Sequence, residues 1–330
     1  MNIAVVILNW NGRKLLEQFL PSVIKYSEDA HIYVADNAST DDSISFLENN
    51  FPQVSIIRNK VNAGYAGGYN LALKSVSEEI HILLNSDIEV TEGWLTPIIE
   101  VFKAEPMTAA IQPKILDYKK KDHFEYAGAA GGYIDKFCYP FCRGRIFQEL
   151  EEDHGQYNDD QYIFWASGAC LAVRKKAFDE IGGLDEDFFA HQEEIDLCWR
   201  LQNTGYNIKY VSASRVFHVG GATLADMNPK KTFFNFRNSL FLILKNVEPS
   251  KVFFILFFRM VLDGLAGIKF IFEGKFNHFF AILEAHASFY RHYGKIRKKR
   301  PKAFIFKNYH KINSIVFAHY FMGKNKFTEL

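Results

Sequence analysis

The run Ile80 to Leu84 is followed at once by Asn85-Ser86-Asp87, and then by the apolar Ile88 and Val90. A short, mostly aliphatic stretch that does not alternate predicts a central strand buried on both faces. Polar residues then stand where the strand ends, and in open α/β sheets ligands gather at the carboxyl ends of the strands. An Asp at that tip can hold a divalent cation, which in turn can hold a diphosphate. The same residue types also make turns and cap helices. Both readings stand on this stretch alone, and the rest of the chain has to separate them.

The chain before this strand alternates two hydrophobic periods. Ile3 to Leu8 predicts a strand, Arg13 to Tyr26 a helix, and Ile32 to Ala35 a second strand. Asp41 to Asn50 predicts a second helix, capped by Ser39 or Thr40, and Val54 to Arg58 a third strand. Asn62 to Leu73 opens as a glycine-rich turn and continues as a helix. Strands and helices alternating at this spacing predict βαβ units, an α/β class and a mainly parallel central sheet flanked by helices. Further on, Trp94 to Phe102 reads as a helix, and Ala109 to Lys114 and Phe164 to Val173 as strands. Lys175 to Ile181 reads as a helix ended by Gly182-Gly183, and Ile195 to Asn203 as one stopped near Gly205. Ile208 to Val211 and Val216 to Val219 read as two short strands. Lys119 to Asp160 is polar and aperiodic, and reads as a long loop region over the site.

From about Thr232 the composition changes, and the sequence divides into residues 1–230 and a helical, aromatic-rich, basic region over 231–330. Phe233, Phe234, Leu240, Phe241 and Leu244 follow helical spacing, later segments break at Pro249 and Gly274, and the tail carries Arg297 to Arg300 and Lys302. Apolar helices beside a basic cluster suggest a surface lying on an anionic membrane or meeting an acceptor. The other reading is a helical appendage packed on the main domain with a solvated basic face. Val252 to Phe272 is long enough to span a bilayer but carries Arg259, Asp263 and Lys269, each costly at that depth. The run Ile3 to Leu8 is too short for a signal-peptide core. A net charge of +1 gives no global field for nucleic acid. The four cysteines form no paired C-x-x-C, which argues against zinc and for reduced thiols. The expected location is cytoplasmic, peripheral on the inner face of the cell membrane.

Several polar residues stand where chemistry would sit. Asp36 follows the second strand and can accept from a base N–H or a ribose hydroxyl, while Ser39, Thr40 and Asp41 suffice for a turn. Asn62-Ala63-Gly64-Tyr65-Ala66-Gly67-Gly68-Tyr69-Asn70 lacks the dinucleotide spacing, yet its glycines let backbone approach a ligand before a helix. Trp165-Ala166-Ser167-Gly168-Ala169-Cys170 puts small residues at a strand entrance, for close packing or for substrate room at Gly168. Glu193, Glu194 and Asp196 crowd a helix start, where the helix dipole favours negative charge and where a carboxylate can serve as general base. His218, in Phe217-His218-Val219-Gly220-Gly221, is a structural residue or, beside a metal-binding Asp, a second ligand.

Taken in order, V-x-x-L-N-W-N-G, V-A-D-N-A-S-T-D-D, N-A-G-Y-A-G-G-Y-N, L-L-N-S-D, S-G-A-C-L-A-V-R, G-G-L-D-E-D-F-F, E-E-I-D-L-C-W-R and F-H-V-G-G resemble the family 2 inverting glycosyltransferases. The resemblance spans about residues 1 to 225, is closest to the rhamnosyltransferase-like branch that builds bacterial surface polysaccharides, and implies the GT-A nucleotide-diphospho-sugar transferase fold with a helical C-terminal extension. It implies that Asn9, Asn11 and Asp36 hold the nucleotide, and that Asn62, Gly64, Asn70 and Gly168 lie beside the nucleotide sugar. Asn85-Ser86-Asp87 matches the D-x-D motif, with Asp87 as ligand of the Mg²⁺ or Mn²⁺ through which the diphosphate is bound, and His218 matches a histidine that helps bind the metal or the diphosphate. Glu194 matches the catalytic base, Glu193 is its acidic neighbour, and Asp196 is the rival. The implied partners are a nucleotide-diphosphate sugar donor and a saccharide or lipid-linked oligosaccharide acceptor at the cytoplasmic membrane surface. A polyprenyl-phosphate sugar synthase and a non-catalytic nucleotide-sugar-binding protein share these motifs. A nucleotidyltransferase would open with G-x-G-x-R where this chain has Asn9-Trp10-Asn11-Gly12.

Overall fold

A computed structural model describes residues 1–220 and 228–330. The first part alternates β1 (Ile3–Asn9), α1 (Arg13–Tyr26), β2 (Ala30–Asp36), α2 (Ser43–Asn50), β3 (Ser55–Arg58), α3 (Gly64–Leu73), β4 (Ile80–Asn85) and β5 (Ile88–Val90). Then come α4 (Leu95–Ala104), β6 (Thr108–Asp117), β7 (Gly132–Ile134), β8 (Pro140–Cys142), β9 (Arg145–Ile146), β10 (Glu149–Leu150) and β11 (Gln161–Tyr162). β12 (Cys170–Arg174), α5 (Lys175–Glu180), α6 (Glu193–Asn203) and β13 (Asn207–His218) follow. The chain closes with α7 (Pro229–Asn246), α8 (Pro249–Phe272), α9 (Phe276–Lys298) and α10 (Ile315–Tyr320).

The main sheet runs β11-β13-β6-β12-β4-β1-β2-β3, with β5 paired to β13 off that path. β1 lies parallel to both β2 and β4, β2 to β3, and β13 to β6. β12 runs antiparallel between β4 and β6, and β5 and β11 run antiparallel to β13. The sheet is therefore mainly parallel with reversed strands among its neighbours. Alternation along β1 explains its central place. Ala4 and Val6 enter one core with α3, α6 and α7, while Ile3, Val5 and Ile7 enter the other with α1 and α4. A strand apolar on both faces is stable only between two helical layers.

Four expectations change. Asp42, not Ser39 or Thr40, is the N-cap residue of α2; Ser39 and Thr40 bond instead to Asn9 and Asn11. The 119–160 region is not a long loop but contains a four-stranded antiparallel sheet, β10-β9-β8-β7. Its strands are two or three residues long, and buried polar residues such as Asp135, Arg143 and Arg145 break the apolar pattern. The strand expected from Phe164 begins only at Cys170. The two short strands at 208–219 are one strand, β13, whose pairing with β6 shifts register between Val211 and Arg215.

The helical breaks fall as expected. Pro249 opens α8, and Gly274, with φ +71°, separates α8 from α9. Leu240 to Leu244 of α7 are buried all round and share a core with Trp199 and Leu201 of α6. The change in composition near Thr232 is thus no break in packing. Among the described residues no helix is long and apolar enough to cross a membrane.

Candidate active site

The register of the parallel strands sets the first group of polar residues side by side. Asn9 lies opposite Asp36, and Leu8 opposite Asn85, at one carboxyl edge of the sheet. The Asn9 amide donates to Asp36 Oδ1 and Ser39 Oγ, both at 3.2 Å, and Ser39 N–H donates to Asp36 Oδ2 at 3.0 Å. Asn9 Oδ1 is buried without a hydrogen-bond partner. Asn11, in a left-handed conformation at φ +52°, accepts from Thr40 N–H at 2.7 Å and Asp41 N–H at 3.3 Å. It staples the turn after β1 to the turn after β2.

Asn37, which sequence reasoning missed, organises the glycine loop. Its amide donates to Asn62 Oδ1 and Gly64 O at 3.0 Å, and its oxygen accepts from Asn59 and from Ala63 N–H. Gly64 has φ +71°, and a Cβ there would stand 2.7 Å from Phe189 O, so only glycine fits without displacing that carbonyl. Tyr65 then ties three segments together: its N–H donates to Phe189 O at 3.0 Å and its hydroxyl to Gly168 O at 2.6 Å. A side chain on Gly168 would strike that hydroxyl. Asn70 is placed elsewhere. It bonds Leu184 N–H and O and Glu186 Oε1, fixing the segment before α6.

At the end of β4, Asn85 and Ser86 are half-buried and Asp87 is buried. The antiparallel register of β5 with β13 pairs Ile88 with His218, which brings His218 beside Asp87. His218 Nε2 lies 3.2 Å from Asp87 Oδ1, and its Nδ1 lies 3.0 Å from Glu125 Oε2. Burial works against the charged imidazolium, but Glu125 and Asp87 overcome it and raise the His218 pKa to about 10. Burial likewise opposes the Asp87 carboxylate, and the His218 charge still holds it below its ordinary value. Glu125 was not found from sequence, because it lies in the aperiodic region and carries no local signal. Gly221, the last residue of the His218 motif, lies outside the described residues.

The carboxylates at the start of α6 divide by environment. Glu193 is buried, its Oε2 has no partner, and burial together with Glu194 raises its pKa well above the usual carboxylate range. Glu194 is half-buried, and desolvation lifts it to about 7 against the pull of backbone N–H groups at the helix start. Asp196 is fully buried and accepts from Arg200 at 2.7 Å, Lys245 at 2.9 Å and Asn246 at 2.9 Å. Burial disfavours its charge, but Arg200 and Lys245 keep it ionised. Glu193 and Glu194 share a neighbourhood with the glycine loop, since both bear on the Tyr65 hydroxyl. Asp196 is committed to joining α6 to α7.

The loop leading into α6 is strained and clamped. Phe189, His191 and Gln192 have φ of +62°, +69° and +70°, a region costly for residues with side chains. The Asn238 amide of α7 donates to Phe188 O at 3.0 Å, Ala190 O at 2.9 Å and His191 O at 2.6 Å. Arg237 bonds Asp187 O and Phe188 O, and Gln192 donates to Ser239 Oγ at 2.9 Å. Lys299, just past the end of α9, pairs with Asp185 and Asp187, and Lys295 of α9 also pairs with Asp187. None of these clamping residues was anticipated.

Asp87 can ligate a hard divalent cation, and His218 can join it only by giving up the proton that Asp87 and Glu125 favour on its ring. Among the described residues no group of three or more His, Cys, Asp or Glu could enclose a metal. Mg²⁺ and Mn²⁺ suit one or two side chains with substrate phosphates and water. A carboxylate on the far nitrogen of a ligating histidine fixes its orientation, the position Glu125 occupies.

Known proteins agree with this architecture. N-acetylglucosaminyl-diphospho-decaprenol L-rhamnosyltransferase of Mycobacterium tuberculosis is 26% identical over 234 residues, which are 66% of this chain and 75% of that protein. The crystal structure of GalNAc-T7 with UDP, GalNAc and Mn²⁺ superposes with a TM-score of 0.55 at 18% identity, over 66% of this chain and 43% of that one. The Pyrobaculum calidifontis mannosyltransferase in complex with GDP-Man and Mn²⁺ gives 0.52 at 14% identity, over 89% and 75%. These likenesses establish the GT-A fold. Residues 4–182, more than half of the chain, match the family model described as Glycosyl transferase family 2. The protein is a glycosyltransferase and belongs to glycosyltransferase family 2.

Proposed function

We propose that this enzyme moves a sugar, rhamnose as first candidate, from a nucleotide-diphosphate donor to a saccharide or lipid-linked acceptor with inversion at the anomeric carbon, in surface polysaccharide synthesis. The observation that carries the reading is Glu194. It is a half-buried carboxyl raised to about 7, beside the glycine loop, and its sequence neighbour Asp196 is consumed by cations. A base poised near neutral pH combines ionisation with proton affinity. In this reading 1–230 supplies the catalytic unit and 231–330 the clamp and the acceptor or membrane side, with α7 working as part of the site.

Asp36 and Asn9, already paired at the strand edge, face the nucleotide base, while Asn11 shapes the two turns around it. Asn62, Gly64 and Gly168 bound the space for the donor sugar; Asn70 keeps the α6 approach in place. Glu194 takes the proton of an acceptor hydroxyl, whose oxygen forms the new bond to the anomeric carbon as the bond to the diphosphate breaks. Glu193, kept neutral by burial, adds no second negative charge next to the base. Asp87, next to Asn85 and Ser86, would hold Mg²⁺ or Mn²⁺; His218 would be a second ligand once deprotonated or, as the imidazolium, a donor to the diphosphate. Bound there, such an ion would supply positive charge to the departing diphosphate.

Glu194→Gln is expected to lower transfer by about 10²–10⁴-fold, the range for a positioned general base, with nucleotide affinity unchanged. Thermal shifts with dTDP, UDP and GDP, each with and without Mn²⁺, on wild type and Asp87→Ala name the donor class. Transfer that survives Glu194→Gln overturns the base assignment, and a metal-dependent shift that survives Asp87→Ala overturns the ligand.

A further inference from the structure

α8 is built inside out. Its inward face carries Arg259 and Asp263, 3% and 0% exposed, and its outward face carries Phe253, Phe254, Phe257, Val261, Leu265 and Phe272, with Phe253 at 71% and Phe272 at 87%. The inward charges are fully answered. Arg259 Nε donates to Asp263 Oδ1 at 2.8 Å, its Nη1 to Phe137 O at 3.2 Å, and its guanidinium lies 3.8 Å above the Tyr139 ring. Asp263 Oδ2 also meets His286 Nε2 of α9 at 3.1 Å. A water-facing helix puts its apolar residues inward. One that buries an ion pair and displays phenylalanines is shaped for a non-aqueous neighbour, because a contiguous apolar patch on this scale is not left to water.

α9 continues the same surface and adds its sign. Positions 276, 280, 283, 287, 290, 294 and 297 recur at helical spacing along one stripe. They carry exposed Phe276, Phe280 and Leu283 at one end and Arg297 at the other, with Lys298 next to it. Neither cation pairs with a carboxylate among the described residues; one exposed acid, Glu284, flanks the stripe at its apolar end beside Phe280. A second copy of this face would offer those two cations little but Glu284, since Glu273 is already paired with Lys269 and Lys275. An anionic lipid surface offers both acyl chain and phosphate. α8, about 36 Å long at 1.5 Å per residue, matches bilayer thickness in length, but its charged inward face stays on the protein. The helix would therefore lie in the plane of the membrane.

We infer that the outward face of α8 with the exposed stripe of α9 docks on the interface of an anionic phospholipid bilayer, with α8 parallel to it. The inference adds a lipid-binding surface to the sugar-transfer reading and is tested without it. The full chain is mixed with phosphatidylglycerol–phosphatidylcholine vesicles, or with phosphatidylcholine alone, and sedimented. Wild type and Glu194→Gln should sediment equally with the anionic vesicles, so loss of transfer and loss of docking are separable. Phe253→Ser/Phe257→Ser/Leu265→Ser should lower partitioning at least ~10-fold, and Arg297→Glu/Lys298→Glu should remove the preference for anionic lipid. Both variants change only exposed side chains and should keep the wild-type melting temperature and nucleotide binding. The inference is overturned if wild type stays in the supernatant at both compositions or if the triple variant sediments like wild type. It is equally overturned if the triple change converts a dimer to a monomer with no vesicle binding in either form.

Discussion

Asn238 is the most informative single residue to change. One side-chain amide stands against three backbone carbonyls, of Phe188, Ala190 and His191, at 3.0, 2.9 and 2.6 Å. An amide has two N–H groups, so about two full hydrogen bonds disappear in Asn238→Ala, leaving buried acceptors at about 1–3 kcal/mol each. The expected loss is about 2–6 kcal/mol, or roughly 3–9 °C in Tm for a chain of this size. The loop also stores unfavourable left-handed backbone at Phe189, His191 and Gln192, immediately before Glu193 and Glu194. Once released, that segment relaxes and carries both carboxylates with it. A displacement of about 1 Å at a reacting group costs on the order of 10²-fold in rate.

Asn238→Asp sharpens the test, because it keeps the shape and reverses the role. A carboxylate would face three carbonyl oxygens, so at neutral pH it should be less stable than Asn238→Ala and recover towards acid pH, where its hydroxyl can donate. Scanning fluorimetry gives Tm, calorimetric titration gives nucleotide affinity, and sugar transfer gives kcat. If Asn238→Ala lowers Tm as expected while kcat is unchanged, the loop is not positioned by α7 and the clamp argument fails.

Two further outcomes follow from buried charge. Because Glu194 titrates at about 7, kcat/KM should rise about tenfold per pH unit below that value and level off above it. Stability has the opposite sign. The folded pKa lies above the ordinary 4.5, so the native state holds that proton more tightly, and this contribution is lost as pH rises through about 7. Glu194→Gln should therefore gain Tm over wild type at pH 8 and show no such gain at pH 4.5. Lys245→Met removes the ammonium shared by Asp185 at 2.6 Å and Asp196 at 2.9 Å. Urea unfolding at pH 7 should show a loss of about 3–5 kcal/mol, the cost of breaking a buried pair from one side, and an unchanged midpoint would mean the network is not stabilising.

What could be read from sequence was whatever the backbone period exposes. The strand at Ile80–Asn85 and the polar edge formed by Asn9, Asp36 and Asn85 follow from aliphatic runs and their ends. The 119–160 sheet did not, because two-residue strands with buried Arg143, Arg145 and Asp135 leave no apolar rhythm, and Glu125 went with it. Asn238 left no mark at all: its partners are backbone carbonyls 47 to 50 residues away, which every sequence possesses. The choice between Glu194 and Asp196 was partly legible, since two residues along a helix turn about 200° and cannot both face one cleft. Arg259 and Asp263 teach the converse. By count they argue against a lipid-facing helix, yet their spacing of four puts them on one face together with Ile255 and Gly267, and that is the face turned to the protein. Charge content alone says what a helix contains; which side the charges share says which neighbour it was built for.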